Sequence, residues 1–322
     1  ITGSAAAGTA LATGNKTAIG RISMDTSGTV SYESIALKAK TRGMKAGIIS
    51  SVSIDHATPA AFYAHPPSRN MYFEICLDLV SSPVDFYGGG GFKQAEGELN
   101  GKKVNLPEMA QDSGFNLINT SKEFRTLQPS DEKVLFINPE LTDGASMLYA
   151  IDQPENYITL AEITSKAIEY LDNENGFFMM VEGGKIDWLC HDNDIASTVH
   201  EVIDFAEAIE EAIKFYQQHP DETLIVVTAD HETGGLALGE DLMKYETNAR
   251  LLGNQDISGE NFSAMLKEYL DRGIEFEELV SILEHHFGVG SKEAPLPLTD
   301  HERKTLKAIL DSHDGTVEGE YG

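Results

Sequence analysis

The period of the hydrophobic positions changes repeatedly along this chain, and each change marks an element. The Ala-rich run Ser4–Thr13 predicts a helix closed by Gly14, and Ser34–Arg42 predicts a second. Ala46–Ser50 reads as a strand. Ser68–Leu79 has a helical period, Val84–Tyr87 is a short strand running into Gly88-Gly89-Gly90-Gly91, and Lys133–Asn138 is strand-like. In Thr159–Asp172 the residues Leu160, Ile163, Ala167, Ile168 and Leu171 share one stripe, the pattern of an amphipathic helix. A strand at Phe177–Glu182, a long helix from about His191 to Tyr216 and a strand at Thr223–Thr228 follow. Several of these strands are apolar without alternation, as strands buried on both faces are. Together they predict an α/β fold, a mainly parallel central sheet with helices on both faces.

Past Leu238 the pattern changes. Gly259–Leu270, Phe276–His286 and Thr299–Leu310 have helical periods, with few strand signals between them. The chain thus divides into an α/β core over residues 1–239 and a helix-rich, acidic insertion or cap over residues 240–322. The longest apolar run, Leu224–Val227, suits a buried strand and falls far short of the ~20 residues of a membrane span.

Charge narrows the function classes. The 322 residues carry 24 Lys and Arg against 52 Asp and Glu, a formal net charge of −28. A surface that acidic does not displace counterions from nucleic acid, so no nucleic-acid-binding surface is expected. It does not dock on anionic lipid either. With 41% hydrophobic residues the chain can bury a real core. Cys76 and Cys190 allow at most one disulfide and read as two buried thiols.

Ligands in open α/β sheets bind beyond the carboxyl ends of the strands. The strand Phe177–Glu182 is followed by Gly183-Gly184-Lys185-Ile186-Asp187-Trp188-Leu189-Cys190-His191. Asp187 and His191 are four apart, so one helical turn puts them on one face. The run Leu224–Thr228 is followed by Ala229-Asp230-His231. Each pair alone reads as an ordinary cap or surface charge, but mixed imidazole and carboxylate groups at two strand ends suit zinc. Ser4 opens the first helix, where free N–H groups and the dipole favour an anion. A nucleophilic serine needs a base or a metal to activate it. Arg69, eleven residues past Thr58, offers a fork that clamps two phosphate oxygens.

These residues, taken in order, resemble the alkaline phosphatases, bacterial type. The similarity is carried by Thr2-Gly3-Ser4-Ala5-Ala6-Ala7, Asp55-His56-Ala57-Thr58-Pro59-Ala60, Val181-Glu182-Gly183, Ile186-Asp187 with His191, and Thr228-Ala229-Asp230-His231. It implies a metal-dependent phosphate monoester hydrolase with two zinc ions and one magnesium ion. By position, Ser4 is the phosphorylated nucleophile, and Arg69 is the phosphate clamp. Asp187 and His191 hold one zinc. Asp230 and His231 hold the other, which also binds the Ser4 oxygen. Thr58 and Glu182 hold the magnesium, with His56 and Trp188 near it. His65 also sits at a family-like position and is given no direct catalytic role.

Gly3 stands where the family usually has an Asp that orients the arginine, which implies a looser Arg69 clamp. His56 and Trp188 replace the Asp and Lys of many bacterial members. The ligand segments expected before Ile1 and after Gly235 do not appear, so the chain is expected to be an internal portion of such an enzyme. The resemblance further implies small phosphomonoester substrates, a homodimer, and a periplasmic or secreted location. The alternatives are a catalytically impaired metal- and phosphate-binding fragment, or a phosphodiesterase of the same superfamily. A sulfatase wants x-Pro-x-Arg after its nucleophile, and Ser4-Ala5-Ala6-Ala7-Gly8 lacks it.

Overall fold

The computed structural model describes residues 2–233, 235–236 and 248–312; the expected core–cap boundary at residue 239 lies outside them. The chain forms two compact units. The first comprises residues 1–148, 154–188 and 201–233, and the second comprises 149–153, 189–200 and 234–322. The second unit therefore draws on two earlier segments as well as the acidic C-terminal region.

In chain order the first unit begins with α1 (Ser4–Thr13), α2 (Ile35–Thr41), β1 (Lys45–Ser50), α3 (Ala57–Ala60), α4 (Tyr72–Ser81) and β2 (Phe86–Gly89). Then come β3 (Glu96–Leu99), β4 (Lys102–Asn105), α5 (Leu106–Asp112), β5 (Phe115–Ile118), α6 (Ser121–Thr126) and β6 (Lys133–Ile137). The helix α7 (Leu160–Leu171) and strand β7 (Phe177–Glu182) lead to α8 (Lys185–Asp192) and α9 (Ile195–Gln218). Five strands make one sheet in the order β5-β6-β2-β1-β7, all parallel.

Burial shows why those strands lack alternation. Ile48 of β1, Tyr87 of β2 and Leu135 of β6 belong to one apolar cluster, with Ile75 and Leu79 of α4. Their neighbours Ile49, Phe86, Val134 and Phe136 belong to the other, with Ile163, Ala167 and Leu171 of α7. Side chains alternate across a strand, so both faces of this sheet are covered.

Local chemistry fixes the element ends. Gly14 adopts the left-handed conformation, φ 77°, and its N–H donates to the Ala10 carbonyl, which stops α1 where expected. Thr159 caps α7 by accepting from the Glu162 N–H.

Two expectations change. The single helix from His191 is two helices, because Asn193 turns left-handed at φ 56° and Asp194 caps α9 by accepting from the Ser197 N–H and hydroxyl. The strand expected at Thr223–Thr228 does not form; Leu224, Val226 and Val227 are exposed. A strand needs a neighbour for its backbone groups as well as apolar side chains, and β7 pairs only with β1 among the described residues. Cys76 is buried as expected, whereas Cys190 is partly exposed.

The second unit contains α10 (Gly259–Asp271), α11 (Phe276–Phe287), the two-residue strands β8 (Val289–Gly290) and β9 (Leu296–Pro297), and α12 (Asp300–Ser312). Its three helices match the expected segments. Among the described residues no helix is long and apolar enough to cross a membrane.

Candidate active site

The carboxyl ends of β1 and β7 are in register, Ser50 opposite Glu182. The Ser50 hydroxyl donates to the Glu182 carboxylate. Beside this pair the chain must pass close to itself. Gly89 has φ 125°, and a Cβ there would lie 1.9 Å from the Ser50 carbonyl oxygen, so only glycine fits.

Thr58 lies in α3, buried, and its side chain also hydrogen-bonds Glu182. Close packing of α1 on α3 brings Ser4 to the same end of the sheet. A Cβ on Gly8 would sit 3.2 Å from the Ala61 methyl and 3.4 Å from the Thr58 Cα, so the small residues of α1 set this approach. Ser4 is 7% exposed and is the first residue of the helix.

Two residues ahead of the end of this unit's last segment, His231 faces Ser4. Its Nε2 is 3.4 Å from the Ser4 Oγ and 3.2 Å from the Asp230 Oδ2. Its Nδ1 lies 2.9 Å from the Glu232 carbonyl oxygen, an acceptor only, so Nδ1 carries a proton. Nε2 faces two oxygens. A serine–histidine–aspartate relay needs the carboxylate on the other ring nitrogen. One nitrogen facing a hydroxyl and a carboxylate is instead the donor set of a metal ion.

The charge in the cluster supports the same fit. Glu182 is pushed up to about 7, chiefly by desolvation and further by the Asp230 and Asp187 carboxylates, against its hydrogen bonds from Ser50 and Thr58. Three carboxylates gathered this way repel one another unless a cation lies among them. Asp187, in the first turn of α8, accepts from the Thr233 hydroxyl, which ties the loop after His231 to that helix. His191 lies one turn further along α8, is exposed, and belongs to the second unit.

Arg69 has an anchor other than the residue before Ser4. Its Nη2 lies 3.1 Å from His56 Nε2, and its backbone N–H donates to the Gly20 carbonyl. A guanidinium has no acceptor to offer, so His56 accepts. Burial, then Arg69 and Lys93, lower the His56 pKa to about 3, which keeps the ring neutral for that role. Its Nδ1 is buried with no hydrogen-bond partner among the described residues, and Trp188 packs edge-on against the ring at 5.8 Å. His65 does structural work, with its ring Nε2 3.1 Å from the Tyr32 carbonyl oxygen and its N–H donating to Asp78. Asp55 likewise is a loop anchor, accepting from the N–H groups of Lys93 and Gln94.

The sequence reading missed Ser50 and Thr233, which hold Glu182 and Asp187. Nothing in the sequence sets Ser50 opposite Glu182, since that register appears only in the sheet. Nothing local marks Thr233.

A parallel α/β sheet with a helix-initial serine set against imidazole and carboxylate groups is a layout for metal-supported anion chemistry. The chain belongs to the alkaline phosphatase family, whose model matches residues 1–272. It is 33% identical over 298 residues to alkaline phosphatase 4 of Bacillus subtilis, covering 88% of this chain and 62% of that protein. The chain thus spans less than two thirds of that relative's length. Among solved structures, the cold-active alkaline phosphatase of a psychrophilic Shewanella superposes with a TM-score of 0.80 at 31% identity, over 97% of this chain and 71% of that one. A variant of the TAB5 alkaline phosphatase, described with Mg bound in its M3 site, superposes with a TM-score of 0.64 at 33% identity, over 73% and 65%.

Proposed function

We propose that this chain carries the phosphoryl-transfer site of a metal-dependent phosphate monoester hydrolase. The observation that carries the reading is the approach of the Ser4 hydroxyl and the Asp230 carboxylate to one nitrogen of His231. The Ser4 oxygen forms a bond to phosphorus opposite the leaving oxygen, and the ester P–O bond breaks. Water then attacks the phosphoserine in line and restores the hydroxyl. The N–H groups at the start of α1 face the transferred group, and Arg69 donates to two of its non-bridging oxygens.

Two zinc ions and one magnesium ion fit the donors. Asp230 and His231 hold one zinc with the Ser4 oxygen, Asp187 and His191 hold the other, and Thr58 and Glu182 hold the magnesium, beside His56 and Trp188. Bound there, the metals lower the pKa of the serine hydroxyl and neutralise charge on phosphate, which a protein of net charge −28 otherwise repels. Small phosphomonoesters are the substrates. The protein is a homodimer of bacterial, periplasmic or secreted type. The test is hydrolysis of an aryl phosphate at alkaline pH by the zinc- and magnesium-loaded protein, with Ser4→Ala in parallel.

Two expected results follow from neighbouring groups. His56→Ala removes the acceptor that orients Arg69, at the cost of one hydrogen bond to a charged group. We expect KM for an aryl phosphate to rise about tenfold with kcat little changed, the mark of lost ground-state binding. A fall in kcat with KM unmoved would show that His56 does not act through substrate binding.

Glu182 gives a pH dependence of definite sign. Its folded pKa of about 7 lies above the ordinary 4.5. Protonation of Glu182 therefore stabilises the metal-free protein below pH 4.5, and that contribution is lost as pH rises through about 7. A cation at Thr58 and Glu182 must displace this proton. Its affinity is expected to rise about tenfold per pH unit up to 7 and then level off. Calorimetric titration with Mg2+ in buffers of different ionisation enthalpy measures the released proton; no release at pH 6 rules the linkage out.

A further inference from the structure

The second unit holds a cluster that phosphate hydrolysis does not use. Asp256, His285 and His286 each offer one ligand atom, and these atoms all lie within 4.8 Å of one another. The histidines are in the last turn of α11, which Gly288 closes in the left-handed conformation, φ 68°. The chain at Asp256 docks on that helix end. The Asp256 N–H donates to the His286 carbonyl at 3.2 Å, and the Asp256 Oδ1 is 2.7 Å from His286 Nδ1. The two imidazoles meet edge to face at 4.6 Å, and Phe262 stands 6.3 Å from the His286 ring. Asp256 is held from its other side as well, because Gln255 donates to Asp194 and to the Ile257 carbonyl.

We propose that Asp256, His285 and His286 form a second, surface metal site in this protein, one for a divalent ion of zinc-like softness. Two imidazoles and one carboxylate suit zinc, nickel or copper, whereas magnesium and calcium want oxygen ligands throughout. Ligands of a tetrahedral zinc at ~2.1 Å lie about 3.4 Å apart. The 2.7 Å contact then opens by about 0.7 Å to reach that separation, and the wider ones close from at most 4.8 Å. Asp256 and His285 are exposed, so water can complete the shell and the ion can enter directly. An ion here joins the segment at Asp256 to the end of α11 and acts as a structural clip. The competing account is that the histidines only complement the helix dipole and pair with Asp256, which requires no ion.

Zinc counting separates the two. The full chain is stripped with chelator, dialysed against a fixed micromolar free zinc concentration, and its zinc measured by mass spectrometry. The wild type is expected to retain one more ion per chain than either His285→Ala or Asp256→Asn, each checked for native circular dichroism. His285 is exposed, so its truncation leaves no cavity. The one-ion difference is expected to persist when the comparison is repeated in Asp230→Asn, since the catalytic zinc ligands lie elsewhere in the sequence. Equal counts in wild type and variants, or a difference that vanishes in the Asp230→Asn background, overturns the proposal.

Discussion

Ser4→Ala is expected to lower aryl phosphate turnover by roughly 10³-fold or more, because it removes the atom we propose as the nucleophile. The fold gives no cause for a structural loss. Ser4 is a helix-initial residue whose N-cap position is held by Gly3, and its side chain does not cap the helix. Alanine there adds no volume and matches the three alanines that follow. The His231 Nε2 loses one neighbour at 3.4 Å and keeps the other, the Asp230 carboxylate at 3.2 Å. Phosphate binding by the variant is therefore expected to survive within severalfold, measured as product inhibition of residual activity or by calorimetry. Acid quenching with labelled substrate gives the complementary readout: a phosphoserine in the wild type and none in the variant. Unchanged turnover in Ser4→Ala would exclude the serine as nucleophile and leave the site to bind phosphate through Arg69 and the helix end.

Much of this was legible because the residues involved act locally. Gly14 ends α1, Thr159 starts α7, and Asp187 and His191 share α8 for reasons contained within a few positions of each. The strands of the parallel sheet announced themselves by lacking alternation. The failures concern pairing. Leu224–Val227 has the composition of a buried strand, yet no strand forms, because composition says nothing about which edge will satisfy the backbone. The hairpin of β3 and β4 is the converse case. Asn100 and Gly101 both take positive φ, 54° and 76°, and an Asn-Gly turn between short polar strands was a readable signal. Glu96–Leu99 and Lys102–Asn105 are largely hydrophilic, so no apolar run marks these strands.

At the site, the residues were legible as chemistry and their anchors were not. Arg69 is a fork that suits phosphate in any protein, but its hold by His56 joins residues thirteen apart. Gly3 implied a loose arginine because the reading followed a position. The structure supplies the anchor from a different direction, through a ring that burial keeps neutral. Ser50 and Thr233 escaped for the same reason, since each is defined by what it touches.

Asp230→Asn is the variant whose two effects should run in opposite directions. In the metal-free protein Asp230 raises the pKa of Glu182, so its charge opposes the ionised form of that carboxyl. Removing the charge eases this repulsion, and the metal-free variant is expected to be equally stable or more stable at pH 8, by up to ~1 kcal/mol. The Asn side chain still offers an oxygen to the His231 N–H, which Asp230 accepts at 3.0 Å, so the local turn persists. In the loaded protein the same change removes a charged group from the proposed metal site beside the Ser4 oxygen. Metal charge stabilisation amounts to several kcal/mol in such transfers, so kcat/KM is expected to fall about 10³-fold. Thermal unfolding with and without zinc measures both terms. The wild type gains stability on loading, and the variant gains much less. If Asp230→Asn instead destabilises the metal-free chain and leaves its response to zinc intact, Asp230 is a structural carboxylate and the gathering of negative charge around Glu182 has another purpose. The sign of the first term decides between a site built for a cation and one built on hydrogen bonds alone, because only the former leaves its carboxylates in conflict until the ion arrives.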